Sequence, residues 1–255
     1  MATSWLAHPL TRGLDIDSPQ TTTLRKEIIA SKPFLRKVYR EWYSRIARAI
    51  PSGPGPVLEL GSGAGFLRDF VPELITSDVF PIAGVDRVID AADLPFEDGA
   101  LKAIVMTNVF HHFARPRQFL DEATRCIRRG GRVIMLEPWN TKWSRFIYTR
   151  LHHEPFDPTA AEWGFEGDGP LSDANGALPW IVFHRDREQF LAEYPAWRVL
   201  AIRETMPLRY LLSGGVSLRS FMPGWSFRMW KCIEACMWPL RRLMGMFALV
   251  VLEKV

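Results

Sequence analysis

A glycine-rich bend between two patterned segments constrains this chain more than any other feature. Val57-Leu58-Glu59-Leu60 is a short apolar run, Gly61-Ser62-Gly63-Ala64-Gly65 follows, and Phe66 to Leu74 is amphipathic. The order is strand, turn and helix. Glycine lets the backbone turn tightly and come close to a ligand, and a helix start there would offer unpaired N–H groups. Dinucleotide-binding proteins use a related turn, but their spacing puts the third glycine where this chain has Phe66. Here the third glycine is Gly65. Roughly 20 residues on, where such folds place a ribose-binding acid, stands Asp78 after Leu74-Ile75-Thr76-Ser77.

The rest of the chain repeats this alternation. Strands are expected at Leu74 to Val79, around Val88 to Asp90, at Leu101 to Asn108, Arg132 to Leu136, Trp197 to Arg203 and Phe247 to Glu253. Helices are expected from Thr21 to Ile50, with a second one starting at Pro33, and at Pro116 to Arg128 and Arg185 to Tyr194. Residues Met1 to Gln20 read as a loose arm, and Arg129-Gly130-Gly131 reads as a stop. Apolar strands alternating with amphipathic helices indicate a parallel sheet covered on both faces. Between Asp78 and Val88 there is no room for a crossover helix, so Phe80 to Gly84 is expected to cross as a loop. Two stretches lack a sustained period and are expected as insertions, at about 139–184 and 206–245. The expected division is an N-terminal arm and helices over 1–50, capping the substrate side, and one domain over 51–255.

Totals narrow the function classes. The chain has 255 residues and a formal net charge of +4. Its basic residues are not gathered as nucleic-acid binding requires, and no nucleic acid partner is expected. Three cysteines are too few for a disulfide framework. Cys232 and Cys236, one helical turn apart without a third ligand at metal spacing, are expected as buried thiols, and no metal is expected. Met1 to Pro9 lacks a secretory pattern, and the apolar run Met244 to Leu252 is about half of the ~20 residues a membrane span needs. A cytoplasmic protein is expected. From Ser226 to Gly245, the apolar residues Phe227, Trp230, Ile233, Met237 and Leu240 stand among Arg228, Lys231, Arg241 and Arg242, a pattern that suits peripheral contact with an anionic membrane.

Four segments in order carry a family resemblance: Glu59 to Gly65, Asp90 to Phe96 with its Leu94-Pro95-Phe96 turn, Ala103 to Phe113 with its His111-His112 pair, and Arg129 to Pro138. Together they resemble class I S-adenosylmethionine-dependent methyltransferases of the small-molecule branch. The resemblance is close over roughly 50–140 and only in outline over 185–255. It implies a Rossmann-like, doubly wound α/β fold, mostly parallel, with an antiparallel last strand, N-terminal helices and two insertions. It further implies that Gly61, Ser62, Gly63 and Gly65 border the methionine and sugar of the cofactor and that Glu59 helps hold its amino-acid end. Asp78 would take the ribose, Asp90 and the Ala91 backbone the adenine, and Asn108 would border the sulfonium.

The expected activity is methyl transfer from S-adenosylmethionine to a small or lipid-linked acceptor by in-line displacement. A base is needed only for an acceptor protonated at neutral pH, and the candidates at the sheet's carboxyl edge are His111, His112 and Glu137. His152 and His153 are further candidates in the first insertion. Trp139, Trp143, Trp163, Phe165, Trp180 and His184 suit either an acceptor wall or ordinary packing. Two alternatives remain, a catalytically silent methyltransferase-like binding protein and a nicotinamide-dependent oxidoreductase.

Overall fold

The computed structural model describes residues 17–63, 65–152, 154–167, 169 and 173–255. Seven strands form one sheet: β1 (Val57–Leu60), β2 (Leu74–Asp78), β3 (Arg87–Val88), β4 (Leu101–Thr107), β5 (Ile127–Pro138), β6 (Trp197–Thr205) and β7 (Phe247–Lys254). Their order is β3-β2-β1-β4-β5-β7-β6. All run parallel in sense except β7, which pairs antiparallel with both β5 and β6. The order reverses between β1 and β4, and the carboxyl edge at such a switch point is where open α/β sheets bind ligands.

Alternation along the central strands sends side chains into two cores. Leu58, Leu60, Ile104, Met106, Val133, Met135 and Val250 join one core with Phe119, Leu120 and Ala123 of α3 (Pro116–Cys126). Val57, Ala103, Val105, Ile134, Leu136 and Val251 join the other, under α2 (Pro33–Ala49). α2 starts at Pro33, whose fixed φ and missing N–H suit a first helical position. It buries Leu35, Val38, Trp42, Tyr43 and Ile46 on one stripe. α1 (Pro19–Ser31) precedes it, capped by Ser18, whose hydroxyl accepts from the Gln20 N–H. The arm expected up to Gln20 lies mostly outside the described residues.

Several expectations need correction. The amphipathic stretch after the glycine turn is not an extended helix but a single 3-10 turn, Leu67–Asp69. Only eight residues separate Gly65 from β2, and Pro72 among them removes an N–H that a helix would need. Among the described residues, therefore, no α-helix start faces the turn. Arg129-Gly130-Gly131 does not end an element, because β5 runs unbroken from Ile127 and absorbs the glycines as a bulge against β4. Gly130 sits there at φ 72°, a conformation glycine adopts without strain. The first insertion contains α4 (Lys142–Leu151), started by a reciprocal capping pair between Thr141 and Ser144. Cys232 and Cys236 are exposed rather than buried. The loop crossing from β2 to β3 is as expected. Asp86 holds it, accepting from the Thr76 N–H at 2.9 Å and pairing with Arg68.

Candidate active site

The carboxyl ends of β1, β2, β4 and β5 open on a cavity of about 1300 Å³. Its far wall comes from α1, α2 and both insertions, with Arg25, Tyr39, Tyr148, Phe156, Tyr210 and Phe221 among the lining residues.

The glycine turn forms the near wall. Gly61 stands at φ 65°, and a side chain there would run into Val109. One at Gly63 would meet Thr22 and, at 2.8 Å, the Asp78 carboxylate; one at Gly65 would lie 2.6 Å from the Tyr43 hydroxyl. Bare backbone is thus required by the neighbours at three positions. Ser62 is buried and faces away from the cavity. Its N–H donates to the Ser77 carbonyl at 2.8 Å and its hydroxyl accepts from the Ser77 N–H at 3.1 Å, which fastens the turn to β2. Ala64 lies outside the described residues.

Asp78 ends β2 with one oxygen accepting from the Gly63 N–H at 3.1 Å and the other from Phe80 N–H at 3.1 Å. Burial raises its pKa despite these bonds. Glu59, under α2, is 3% exposed, and burial lifts its pKa to about 7 against a hydrogen bond from Ser62 and the charge of Arg68. Asp90 is exposed at the rim, its carboxylate accepting from the Ala92 N–H at 2.9 Å, beside half-buried Ala91. Asn108, just after β4, holds a left-handed φ of 57°. Its side-chain oxygen and the neighbouring Thr107 hydroxyl are buried on the cavity wall without a hydrogen-bond partner. Each such group costs about 1–3 kcal/mol unless a water or a ligand satisfies it.

A second polar group lies beside it. His111 and His112 sit in the 3-10 turn Phe110–His112, rings 4.2 Å apart, and both line the cavity. His111 Nδ1 lies 2.7 Å from Glu137 Oε2, and its Nε2 lies 3.6 Å from Glu154. Burial disfavours charge on this ring, but the two carboxylates outweigh burial and lift its pKa to about 9. His112 bonds through Nδ1 to the Asp173 carbonyl at 3.1 Å, and burial with the neighbouring His111 charge lowers its pKa to about 3. Glu154 is held well below the usual carboxylate range: burial opposes its charge, and His111 more than compensates.

Glu137 does not line the cavity. It is fully buried, with Oε1 accepting from the Val109 and Phe110 N–H groups at 2.8 and 3.0 Å and Oε2 facing His111. It fixes the turn that carries the histidines.

Of the two readings open for the aromatic insertion residues, packing is the one found. Trp139 and Trp163 are core residues, the latter donating its indole N–H to Asp186 at 2.9 Å, and Trp143 donates to the Pro207 carbonyl at 2.9 Å. His184 packs between Trp139 and Trp180, and Phe165 packs against the core. None of these reaches the cavity wall. His152 reaches it, edge-on to Tyr148, and His153 lies outside the described residues. Glu154 and Arg25 were not anticipated. The segment Leu151-His152-His153-Glu154 signalled a polar loop near the site, but nothing in its spacing singled out the acid.

A sheet with β7 inserted antiparallel beside β5, a glycine turn after β1 and an acid at the end of β2 matches a Rossmann-like methyltransferase fold. Residues 58–135 match the family described as "Methyltransferase domain". Relatives include a demethylmenaquinone methyltransferase of Clavibacter sepedonicus, 29% identical over 114 residues, 38% of this chain and 46% of that one. Another, of Thermotoga maritima, is 33% identical over 121 residues, 40% and 53% of the two chains. The chain spans about half the length of these curated relatives. Among solved structures, geranyl diphosphate C-methyltransferase of Streptomyces coelicolor, with Mg2+, geranyl diphosphate and S-adenosyl-L-homocysteine, is similar at TM-score 0.51 and 14% identity, covering 98% of this chain and 92% of that one. A chain from the complex of the Haloferax volcanii Trm112 methyltransferase activator reaches TM-score 0.56 at 15% identity, covering 94% and 96%. At such identities the likeness is one of fold.

S-adenosylmethionine fits what is present. The glycine cradle admits no side chain, the orphaned oxygens of Thr107 and Asn108 need a partner, and Asp78 offers a carboxylate to a ribose.

Proposed function

We propose that this chain is an S-adenosylmethionine-dependent methyltransferase whose acceptor is small or lipid-linked and largely apolar. The observation that carries the reading is the meeting, in one cavity, of the three-glycine turn, Asp78 and the unpartnered oxygens of Thr107 and Asn108. When bound, the cofactor would supply a sulfonium-activated methyl group, whose carbon an acceptor nucleophile attacks in line as S-adenosylhomocysteine leaves.

The chain's own residues align the partners and exclude water. Gly61, Gly63 and Gly65 border the methionine and sugar, with Ser62 acting only by fastening the turn. Glu59 supports the amino-acid end, Asp78 takes the ribose hydroxyls, and Asp90 with Ala91 meets the adenine. Asn108 presents its carbonyl oxygen to the positive sulfonium. His111 and His112 face the acceptor, and Glu137 is a positioning residue that acts through His111. Residues 51–255 form the catalytic domain, with the insertions at 139–184 and 206–245 and the helices before residue 50 closing over the acceptor.

The far wall supports an apolar acceptor. Tyr148 stacks on Phe156 at 4.9 Å, and Tyr210 meets Phe247 edge-on at 4.7 Å. Prenylated molecules named for the relatives, a demethylmenaquinone and geranyl diphosphate, share that character. The mouth adds a route for a lipid. Phe221 and Leu151 line the cavity yet are 46% and 67% exposed, and Trp225 and Trp238 of the second insertion are 80% and 53% exposed. In the same insertion Arg228, Lys231 and Arg242 are exposed, and the only acid from Gly214 to Gly245, Glu234, is buried against Arg209. Such a face suits the surface of an anionic bilayer. No helix among the described residues is long and apolar enough to cross a membrane.

The test is incubation with methyl-labelled cofactor and either a demethylated prenylquinol or a prenyl diphosphate. Label entering the prenylated product supports the reading. Tight cofactor binding without transfer to either, or to lipid extract, would favour a silent binding protein. Co-sedimentation with vesicles containing phosphatidylglycerol, but not with neutral ones, checks the membrane face.

A further inference from the structure

Beyond methyl transfer, we propose that His111, His112 and Glu154 form a divalent metal site on the acceptor side of the cavity. One candidate ligand atom from each lies within 4.8 Å of the others, and all three residues line the cavity. His111 Nε2 and Glu154 Oε2 are 3.6 Å apart, inside the span of two bonds of about 2.1 Å to one ion. Glu154 lies on the first insertion, whereas both histidines follow β4.

The surroundings of the two rings carry the argument. Metal-binding histidines characteristically commit one ring nitrogen to a carboxylate or a backbone carbonyl, which fixes the tautomer and aims the other nitrogen at the ion. Both arrangements occur here side by side. His111 gives Nδ1 to Glu137 at 2.7 Å, and Glu137 is itself locked by two backbone N–H groups. His112 gives Nδ1 to the Asp173 carbonyl at 3.1 Å. Each ring is left with Nε2 as its remaining ligand atom. A buried, three-point anchored glutamate behind one histidine is an elaborate support for a ring that only packs.

Two imidazoles and one carboxylate suit borderline first-row ions such as Zn2+, Mn2+ or Fe2+ rather than Ca2+ or Mg2+. Three protein ligands leave at least one position open toward the cavity, as catalytic sites do and structural ones do not. The ligand class for that position is an acceptor oxygen, which the ion would hold and orient. The proposal does not depend on which atom is methylated.

The test uses the whole protein, stripped with a chelator and titrated calorimetrically with Zn2+ and Mn2+, with S-adenosylhomocysteine affinity measured in parallel. One equivalent should bind. Glu154→Gln and, separately, His112→Asn should each weaken it at least tenfold while leaving S-adenosylhomocysteine affinity unchanged. Glu137→Gln should weaken it by about 10–100-fold, as loss of a supporting carboxylate does. Substitution with Co2+ should give visible bands of a nitrogen- and oxygen-ligated ion that Glu154→Gln alters. Absence of saturable binding at millimolar metal in protein that still binds S-adenosylhomocysteine would overturn the site and leave His111 and Glu154 as an ion pair beside a neutral His112. Binding that survives both ligand substitutions would overturn it as well.

Discussion

The half of the molecule that faces the cofactor and the half that faces the acceptor are held together by different physics. Across β1, β2, β4 and β5 the cofactor side is backbone and apolar alternation: a turn that admits no side chains, one acid at a strand end, and strands buried on both faces. The acceptor side is tied down by charge. Arg209, 2% exposed, joins Glu41 of α2 at 2.8 Å and Glu234 of the helix Phe227–Cys236 at 2.6 Å, with Lys231 adding 3.1 Å to Glu41. The same Arg lies over the Phe227 ring, 4.8 Å from its centre. The frame around the glycine turn is held by burial of apolar strands, whereas the lobe across the cavity is clamped by buried ion pairs.

Substitutions break that contrast at different strengths. Arg209→Met leaves buried Glu234 without its cation and removes one of three cations around Glu41, and should cost about 3–5 kcal/mol of stability in urea unfolding. Cofactor affinity of the molecules that remain folded should hardly change, because no part of the clamp touches the glycine turn. A larger loss of cofactor affinity than of lobe stability would erase the division.

The pH dependence separates the halves by sign. Ion pairs with Arg209 and Arg45 outweigh burial and depress the Glu41 pKa to about 2, below its ordinary 4.5. Its stabilisation is therefore complete above pH 4.5 and lost as pH falls toward 2, about 3 kcal/mol in all at 1.36 kcal/mol per unit. Glu59 is opposite. Its folded pKa of about 7 lies above 4.5, so stability falls as pH rises between those values, again by ~3 kcal/mol. Glu59→Gln should be as stable as the parent near pH 4 and more stable at pH 8, read from paired denaturation curves. Equal curves at both pH values would mean that the carboxyl is solvated.

Gly63→Ala should weaken cofactor binding by about 1–3 kcal/mol, through displacement of Asp78 and Thr22. Tyr148→Phe, which removes a 2.8 Å bond to the Met246 carbonyl, should cost about 1 kcal/mol of stability and spare cofactor affinity.

Legibility followed the same line. The existence and order of the strands, though not the start of β5, are readable because two-sided burial and glycine spacing are local patterns. Ten of the twelve proposed site residues line one cavity; Ser62 and Glu137 stand behind it. Sequence misled where a local pattern met a steric limit: Phe66 to Leu74 has helical periodicity but too few residues before β2, with Pro72 among them. It was silent on Glu154, Arg25 and Arg209, whose partners lie far along the chain. It could not sort the tryptophans, since an apolar ring looks alike in sequence whether it meets a core or a ligand.

Calorimetric titration of the parent and of Asp78→Ala with S-adenosylhomocysteine tests the central claim most directly. One equivalent should bind the parent, and loss of the carboxylate should weaken it by about 1–3 kcal/mol, some 5- to 150-fold. Equal affinities, or no binding to a parent that is folded, would contradict the account of this cavity.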